Sequence, residues 1–345
     1  MKLIINGCKW VVPIRVVPGV VLRGGLRSAA RSAAKSALLF CILLLGACVS
    51  SSVRNSQSWQ SELATDHPLV GEIWNSSTGE FVDPSALYSR IEAAKYILLG
   101  EKHDNPDHHA LQLMVLNRLL SAGGVARVAF EMMDSNSQSA LVSLSSQPML
   151  SLDQLKEYLG WDTEGWDWNF YGPLIDAVYR ADVNLVAANI NSESIGRVYA
   201  EELPATIAAV LDVASVEQLE RDIDESHCGM LPQSQFPAMV RVQQSRDYAM
   251  AQSLLLEQDS QAVLIAGNYH IRRDLGVPNY LLAQQPGLAD QAIVALAFME
   301  VQAGETEPAA YLQQYGDRAA YDYIWFTPAV SSEDYCASMR GDADD

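Results

Sequence analysis

Short runs of continuous apolar residues recur along the chain, and they predict buried β-strands. The runs do not alternate with polar residues, as expected of strands covered on both faces of a parallel sheet. Five of them are Tyr96–Gly100, Val125–Met133, Asn184–Ile190, Gln261–Gly267 and Gln291–Phe298. A sixth run, Tyr321–Phe326, is predicted as an edge strand.

Segments with apolar residues at helical spacing lie between these runs. They predict helices over Asp107–Ala122, Pro173–Arg180 and Phe236–Gln258, and a helical insertion from Ser194 to Leu231. Strands separated by helices are typical of layered α/β proteins. The pattern therefore predicts an α/β fold with a mainly parallel sheet, flanked by helices and interrupted by one helical insertion.

The first 47 residues have the layout of an export signal. Basic residues precede a short apolar segment, and no acidic residue occurs before Cys48. The apolar segment is shorter than the roughly 20 residues of a transmembrane helix. Leu45-Gly46-Ala47-Cys48 resembles a bacterial lipobox, in which Cys48 would be lipidated and would bind the protein to a lipid membrane. The alternative is an ordinary secretory signal with an incidental cysteine.

This layout predicts the domain organisation and the location. Residues 1–47 are predicted as a lipoprotein signal peptide, 48–66 as a Ser- and Gln-rich tether, 67–330 as the α/β domain and 331–345 as an acidic tail. No Asp follows Cys48, which favours the bacterial outer membrane, facing the periplasm, over the inner membrane. The inner membrane stays open as an alternative.

Charge and cysteine content narrow the function. The net charge is −19, although residues 1–47 are basic, so the rest of the chain is strongly acidic. Nucleic-acid binding needs a basic surface, and a nucleic-acid partner is therefore not expected. Cys228 and Cys336 either form a disulfide or leave Cys228 reduced beside His227; no CxxC motif is present.

Acidic and histidine residues occur where the predicted strands end. Glu101 and His103 follow the first strand, Glu131 lies near the end of the second, and His270 follows the fourth. Ligands of open α/β sheets bind outside the carboxyl ends of the strands, so these residues predict one ligand site. They could perform acid–base chemistry or hold a divalent metal such as Zn or Mn. The alternative is that each histidine is structural.

An aromatic cluster occupies Trp161–Tyr171, a stretch that reads as a loop. It could be core packing, the wall of a pocket for a flat aromatic ligand, or a contact between subunits. Tyr171 and Tyr269 are the tyrosines expected nearest the site, and tyrosinate is a known ligand of haem iron.

Ordered motifs give the chain a family resemblance. They are Gly100-Glu101-x-His103, His108-His109, Phe130-Glu131, Trp168 to Pro173, His227-Cys228, Gln244-x-Arg246-Asp247, Ala266-Gly267-Asn268-x-His270 and Gly276-Val277-Pro278. Together they resemble the ChaN-like haem-binding lipoproteins, which belong to a broader group with erythromycin esterases and Tiki/TraB-type proteins. The resemblance runs from about Leu69 to Phe298.

The resemblance implies a non-enzymatic protein of haem and iron uptake, with haem bound face to face between two subunits of a homodimer. Carried over, Tyr171 is the expected iron ligand, with His103 and His270 as supporting groups and Glu101 beside them. Tyr269 stands where the family pattern has a small residue, so it either supplies another ligand or narrows the pocket.

Two other functions stay open at this point. The esterase relatives suggest a hydrolase in which Glu101, His103, Glu131 and His270 activate water, with or without a metal. A GxSxG elbow is absent, so a serine nucleophile is not expected. The third possibility is a structural or docking lipoprotein whose Glu and His residues are inert.

Overall fold

One eight-stranded sheet organises the fold, with the strand order β2-β1-β8-β7-β3-β6-β4-β5. The strands are β1 Ile73–Asn75, β2 Glu80–Phe81, β3 Tyr96–Glu101, β4 Val125–Asp134, β5 Asn184–Asn189, β6 Gln261–Gly267, β7 Ile293–Glu300 and β8 Tyr323–Thr327. All neighbours from β8 to β5 pair in parallel, whereas β1 pairs antiparallel with both β2 and β8. The predicted α/β fold with a mainly parallel sheet is confirmed.

The computed structural model describes residues 58–256, 260–312, 316–333 and 335–337. The predicted signal peptide, Cys48 and most of the predicted tether lie outside the described residues. Residues 55–345 form one compact unit, which holds every described element. Within the described ranges, no helix is both long and apolar enough to cross a membrane.

The sequence prediction located five of the strands to within two residues, but its edge strand was wrong. The run at Tyr321–Phe326 forms β8, which lies between β1 and β7 instead of at the edge. The edge on this side of the sheet is β2, which forms a hairpin with β1; the two strands have two and three residues. Strands this short carry no readable alternation, so the pattern did not reveal them.

Helices cover both faces of the sheet. They are α1 Pro84–Glu92, α2 Pro106–Ala122, α3 Gln138–Leu144, α4 Leu152–Leu159, α5 Trp168–Arg180, α6 Ser192–Ala200, α7 Ala205–Ala208, α8 Val213–Ser226, α9 Phe236–Leu254 and α10 Val277–Gln284. The predicted insertion corresponds to α6, α7 and α8. The aromatic stretch is not all loop, because α5 already begins at Trp168, where the Asp167 side chain accepts a hydrogen bond from Asn169 N.

Alternate residues of each buried strand feed two separate apolar layers. In β3, Ile97 and Leu99 face one layer, with α2, α4 and α5, while Tyr96 and Leu98 face the other, with α8, α9 and α10. Successive strand residues point to opposite faces, so a run buried on both faces must be apolar at every position. This is the physical reason for the continuous apolar runs.

The segment before residue 67 is bound to the domain. The backbone amides of Gln60 and Ser61 donate to the two carboxylate oxygens of Asp107, at 2.8 and 2.9 Å. Leu63 pairs with Ala329 in an isolated antiparallel bridge. The end of the stretch predicted as a tether is therefore packed against the start of α2 and the segment after β8.

The two cysteines left open by the sequence form a disulfide. Cys228 and Cys336 are bonded, with their Cα atoms 5.3 Å apart and a sequence separation of 108. The bond joins the turn after α8 to the C-terminal segment. The alternative of a reduced Cys228 beside His227 is therefore not the arrangement in this structure.

Candidate functional site

The candidate site lies at the carboxyl ends of three neighbouring parallel strands. Glu101 is the last residue of β3, Glu131 lies near the end of β4, and His270 follows β6. Because β6 is between β3 and β4, these side chains reach the same edge of the sheet, as the sequence predicted.

Glu101, His103 and Tyr171 form one hydrogen-bonded group. The imidazole Nδ1 of His103 donates to Glu101 Oε1 at 2.6 Å, and the Tyr171 hydroxyl donates to the same oxygen at 3.1 Å. Tyr171 is 1% exposed, whereas the His103 side chain is 45% exposed. Glu101 therefore orients an imidazole whose other nitrogen, Nε2, faces away from the carboxylate.

Glu131, His270 and Asp247 form a second, fully buried group. His270 Nε2 lies 3.2 Å from Glu131 Oε1, and His270 Nδ1 donates to Asp247 Oδ1 at 2.6 Å. The other Glu131 oxygen accepts the backbone N–H of Gly267 at 2.8 Å. Both ring nitrogens of His270 thus face carboxylates, which stabilises the imidazolium form.

The pKa values in the second group follow from this arrangement. Burial disfavours charge on His270, but the two carboxylates prevail and raise its pKa to about 10. Burial also opposes ionisation of Glu131, yet the charge and hydrogen bond of His270 lower its pKa to about 2. Burial dominates at Asp247 and raises the pKa of that carboxyl. At neutral pH Glu131 and His270 therefore form an ion pair, and the Asp247 carboxyl accepts the second N–H of the imidazolium.

The first group has a different electrostatic character. Burial disfavours the His103 imidazolium, but the hydrogen bond and charge of Glu101 raise its pKa above the ordinary value. Burial, together with the negative charge of Glu101, raises the pKa of Tyr171 far above that of an exposed phenol. Tyr171 is therefore a neutral hydrogen-bond donor in this structure.

Gly267 allows the two groups to approach one another. A Cβ atom at this position would lie 3.2 Å from His103 Cε1 and 3.6 Å from Glu131 Oε2. The missing side chain lets the His103 ring lie against the end of β6.

His108 and His109 support the loop that carries His103. Lys102 N donates to His108 Nδ1 at 2.9 Å, and His109 Nε2 donates to the His103 carbonyl at 3.0 Å. Burial lowers the pKa of His108 well below its ordinary value, so this ring is neutral. Both histidines are buried and act on the ligand site through the backbone of residues 102 and 103.

The aromatic cluster surrounds the first group. The Trp166 ring meets His103 edge-on at a centroid distance of 4.8 Å, and Phe170 stacks on His109 at 4.7 Å. Tyr171 contacts the same His109 ring edge-on at 4.7 Å. The cluster therefore packs the histidines in place and leaves Trp166 half-buried beside His103.

A cavity of about 940 Å³ opens above these groups. Its size falls within the roughly 300–1,000 Å³ range of ligand pockets. Among the predicted site residues, those that line it are Glu101, His103, Glu131, Tyr269 and His270. Tyr171 does not line it and lies behind Glu101 and His103.

Tyr269 forms part of the cavity wall and is tied to the helical insertion. Its hydroxyl donates to Asp222 of α8 at 2.8 Å. Burial, together with the charge of Asp222, raises the pKa of this phenol. The sequence left two roles open for Tyr269, a further ligand or a residue that narrows the pocket. Its position in the cavity wall fits the second role.

The residues present fit a haem better than a bare divalent ion. Metal-bound histidines usually donate their second ring N–H to a carboxylate, as His103 does to Glu101. In the described ranges, no three His, Cys, Asp or Glu side chains are arranged to hold a metal ion. A haem brings four nitrogen ligands of its own and needs only one or two from the protein, so a single accessible imidazole is sufficient. The Zn or Mn alternative therefore has no support.

Sequence reasoning did not place Asp247 and Asp222 in the site. Asp247 falls inside the predicted helix Phe236–Gln258, and a helical position does not reveal which strand end it faces. Its place in the Gln244-x-Arg246-Asp247 motif was the available signal. Asp222 lay in an acidic stretch of the insertion that carried no signal.

The fold and the site define the molecule as a layered α/β protein with a Glu- and His-lined ligand cavity at the carboxyl edge of its sheet. The chain belongs to the family described as haem-binding uptake, Tiki superfamily, ChaN, which matches residues 87–281, more than half of its length. None of the curated proteins matches it.

Solved structures resemble this chain to different degrees. A structure of cofacial haem binding to ChaN of Campylobacter jejuni has 24% identity and a TM-score of 0.60, and the match covers 73% of this chain and 95% of that one. A mutant erythromycin esterase, EreC, in its open conformation has 13% identity and a TM-score of 0.34, with 63% and 72% coverage. A toxin effector domain from Vibrio vulnificus has 14% identity and a TM-score of 0.37, with 62% and 35% coverage.

Proposed function

We propose that this chain binds haem in its cavity and serves haem or iron uptake. The observation that carries the proposal is His103, a half-exposed imidazole at the cavity wall, supported from behind by the Glu101 carboxylate. Membership of a haem-binding family supports the same ligand. Haem supplies the iron, and the chain's part is to bind the porphyrin and present a ligand to it.

The iron ligand predicted from the sequence is Tyr171, with His103 in support. The geometry favours the opposite order, because the Tyr171 phenol is buried and donates to Glu101. Ligation by Tyr171 needs α5 to move and the phenol to lose its proton. Ligation by His103 needs neither, and Tyr171 would then fix Glu101 and the ring. Both assignments are testable by the spectra of single variants.

Anchoring and assembly complete the proposal. The sequence at Leu45–Cys48 supports a lipid anchor on Cys48, facing the periplasm at the outer membrane, and the family resemblance supports a homodimer with two haems face to face. If the anchor exists, Cys48→Ser moves the protein from the membrane fraction to the soluble fraction.

The decisive experiment is a haemin titration of the chain from residue 50 onward, followed by absorbance and by sedimentation. We expect a saturable Soret shift and a mass change toward a dimer. His103→Ala should abolish or displace the Soret band, whereas Tyr171→Phe should keep the band position and lower affinity if His103 is the ligand. The reverse pattern would assign the iron to Tyr171.

His227→Ala is the matched control, because this histidine is not among the residues that line the cavity. It lies at the end of α8, where its Nδ1 donates to the Ile223 carbonyl. Its titration curve should equal that of the wild type. A wild type without a Soret shift would refute haem binding altogether.

A hydrolase is the second candidate, and a specific observation favours it. Glu131, His270 and Asp247 form a buried acid–imidazole–acid group beside Glu101 and His103. Protonated His270 has the form of a general acid. On this hypothesis Glu131→Gln and His103→Ala each abolish turnover of ester or peptide substrates, with folding retained. A wild type that turns over no member of an ester and peptide panel removes this candidate.

A further inference from the structure

The charged groups of the cavity differ in whether the protein already neutralises them. Glu101 is paired with His103 and Glu131 with His270. Lys102 forms ion pairs with Asp104 and Glu300, at 3.1 and 3.2 Å. Each of these groups already has a partner of opposite charge, so together they offer little net charge to a ligand.

Among the basic residues that line the cavity, Arg246 is the exception. It lies on α9, one residue before Asp247, and lines the cavity. Its Nε is buried and has no hydrogen-bond partner. No ion pair or hydrogen bond joins its guanidinium to any other residue in the described part of the chain.

Every other arginine in the described ranges makes at least one side-chain hydrogen bond or ion pair, although Arg127 also has an unpartnered Nε. Also on α9, Arg241 donates to the carbonyls of Val198 and Tyr199, at 3.1 and 2.7 Å. Arg273 binds Asp290 and Asp322. Arg246 is partly buried, and its Nε is withdrawn from water without a partner. Such a donor is costly, so the group is expected to gain a partner in the functional state.

The chemistry of the missing partner follows from the guanidinium. Its planar fork of N–H donors matches a carboxylate in a bidentate arrangement, and the group stays charged at all physiological pH values. The nearby carboxylates are not available, because Glu131 is held by His270 and by Gly267 N, and Asp247 by His270.

We propose that Arg246 is a carboxylate-binding residue of this cavity, and that it binds a propionate group of the bound porphyrin. The inference rests on the proposed haem function. It assigns Arg246 to ligand selection and orientation, at the α9 side of the cavity, and leaves iron ligation to the residues discussed above.

The test compares haemin with its dimethyl ester, in which both propionates are neutral, on the chain from residue 50 onward. Wild-type protein should bind haemin about 10- to 100-fold more tightly than the ester, as expected of one charge-assisted hydrogen-bonded pair. In Arg246→Gln that preference should fall by the same factor while the Soret maximum stays in place. Arg246→Lys should retain part of it.

Arg241→Gln is the matched control, since it removes an arginine of the same helix that does not line the cavity. Its preference for haemin over the ester should equal that of the wild type. A wild-type protein without a Soret shift refutes the haem function and this assignment together. A wild type that binds haemin and the ester equally, or an Arg246→Gln or Arg246→Lys variant that keeps the full preference, refutes this assignment and leaves haem binding intact.

Discussion

Replacing His270 by glutamine should lower the free energy of unfolding by about 3–5 kcal/mol at pH 6, the usual cost of removing one member of a buried ion pair. His270 is the cation between Glu131 and Asp247, and the side chains of all three are almost inaccessible to water. Without it, two carboxylates stay buried beside each other and must take up a proton. Denaturant unfolding of wild type and variant measures the loss.

The same substitution should remove a specific pH dependence. The pKa of His270 is raised from 6.5 to about 10 in the folded protein. Its stabilisation is therefore complete below pH 6.5 and is lost as the pH rises to about 10. The wild type should lose about 1.4 kcal/mol per pH unit between pH 7 and 9 relative to His270→Gln.

Acid titrates the opposite partner. The pKa of Glu131 is lowered from 4.5 to about 2, so its stabilisation is complete above pH 4.5 and is lost as the pH falls to about 2.

The double variant His270→Gln with Asp247→Asn should recover part of the stability that His270→Gln loses, because one of the two unpaired carboxylates is gone. Equal pH profiles for wild type and His270→Gln would contradict the ion-pair description.

Gly276→Ala should be the most damaging single-methyl change, with a loss of about 3 kcal/mol or more. A Cβ at Gly276 would overlap the carbonyl oxygen of His270 and lie 3.0 Å from that of Arg272. The His270 carbonyl cannot withdraw, because it accepts the backbone N–H of Val277 at 2.8 Å. The clash therefore distorts the loop that carries His270 and leads into α10.

Gly196→Ala is the control for this change. Gly196 lies inside α6, and a Cβ there meets nothing within 4 Å. Alanine is the better helix former, so this variant should gain about 0.5–1 kcal/mol. Thermal or denaturant unfolding of the two variants should therefore shift in opposite directions. A Gly276→Ala protein with wild-type stability would show that the loop can relax.

The sequence predicted the buried parts of the fold well, because strands covered on both faces need apolar residues at every position. Short apolar runs such as Gln261–Gly267, which alternate with helical segments, therefore indicate buried strands. The sequence prediction failed where an element was short or where tertiary contacts determined its position. The β1–β2 hairpin lacks a pattern, and the position of β8 depends on that hairpin.

The residues of the candidate site also fall into those that the sequence predicts and those that it does not. Glu101, His103, Glu131 and His270 could be predicted together, because parallel strands bring their carboxyl ends to one edge. The burial of Tyr171 and the role of Asp247 could not be predicted. Each depends on how far a helix is rotated about its axis and on which strand end it crosses, and the sequence alone leaves both open.

The pairing of β1 with β8 also governs when the sheet can form. These strands come from opposite ends of the domain, and Leu63 meets Ala329 beside them. Central β3 likewise pairs with β6 and β7, which follow it only after α2 to α9 and, for β7, α10. Contacts of such long sequence separation slow folding, because the chain must lose the entropy of closing long loops before these contacts form. A ribosome must therefore release nearly the whole domain before its sheet is complete, and a chain stopped before Tyr323 exposes the unpaired edges of β1 and β7 to other chains.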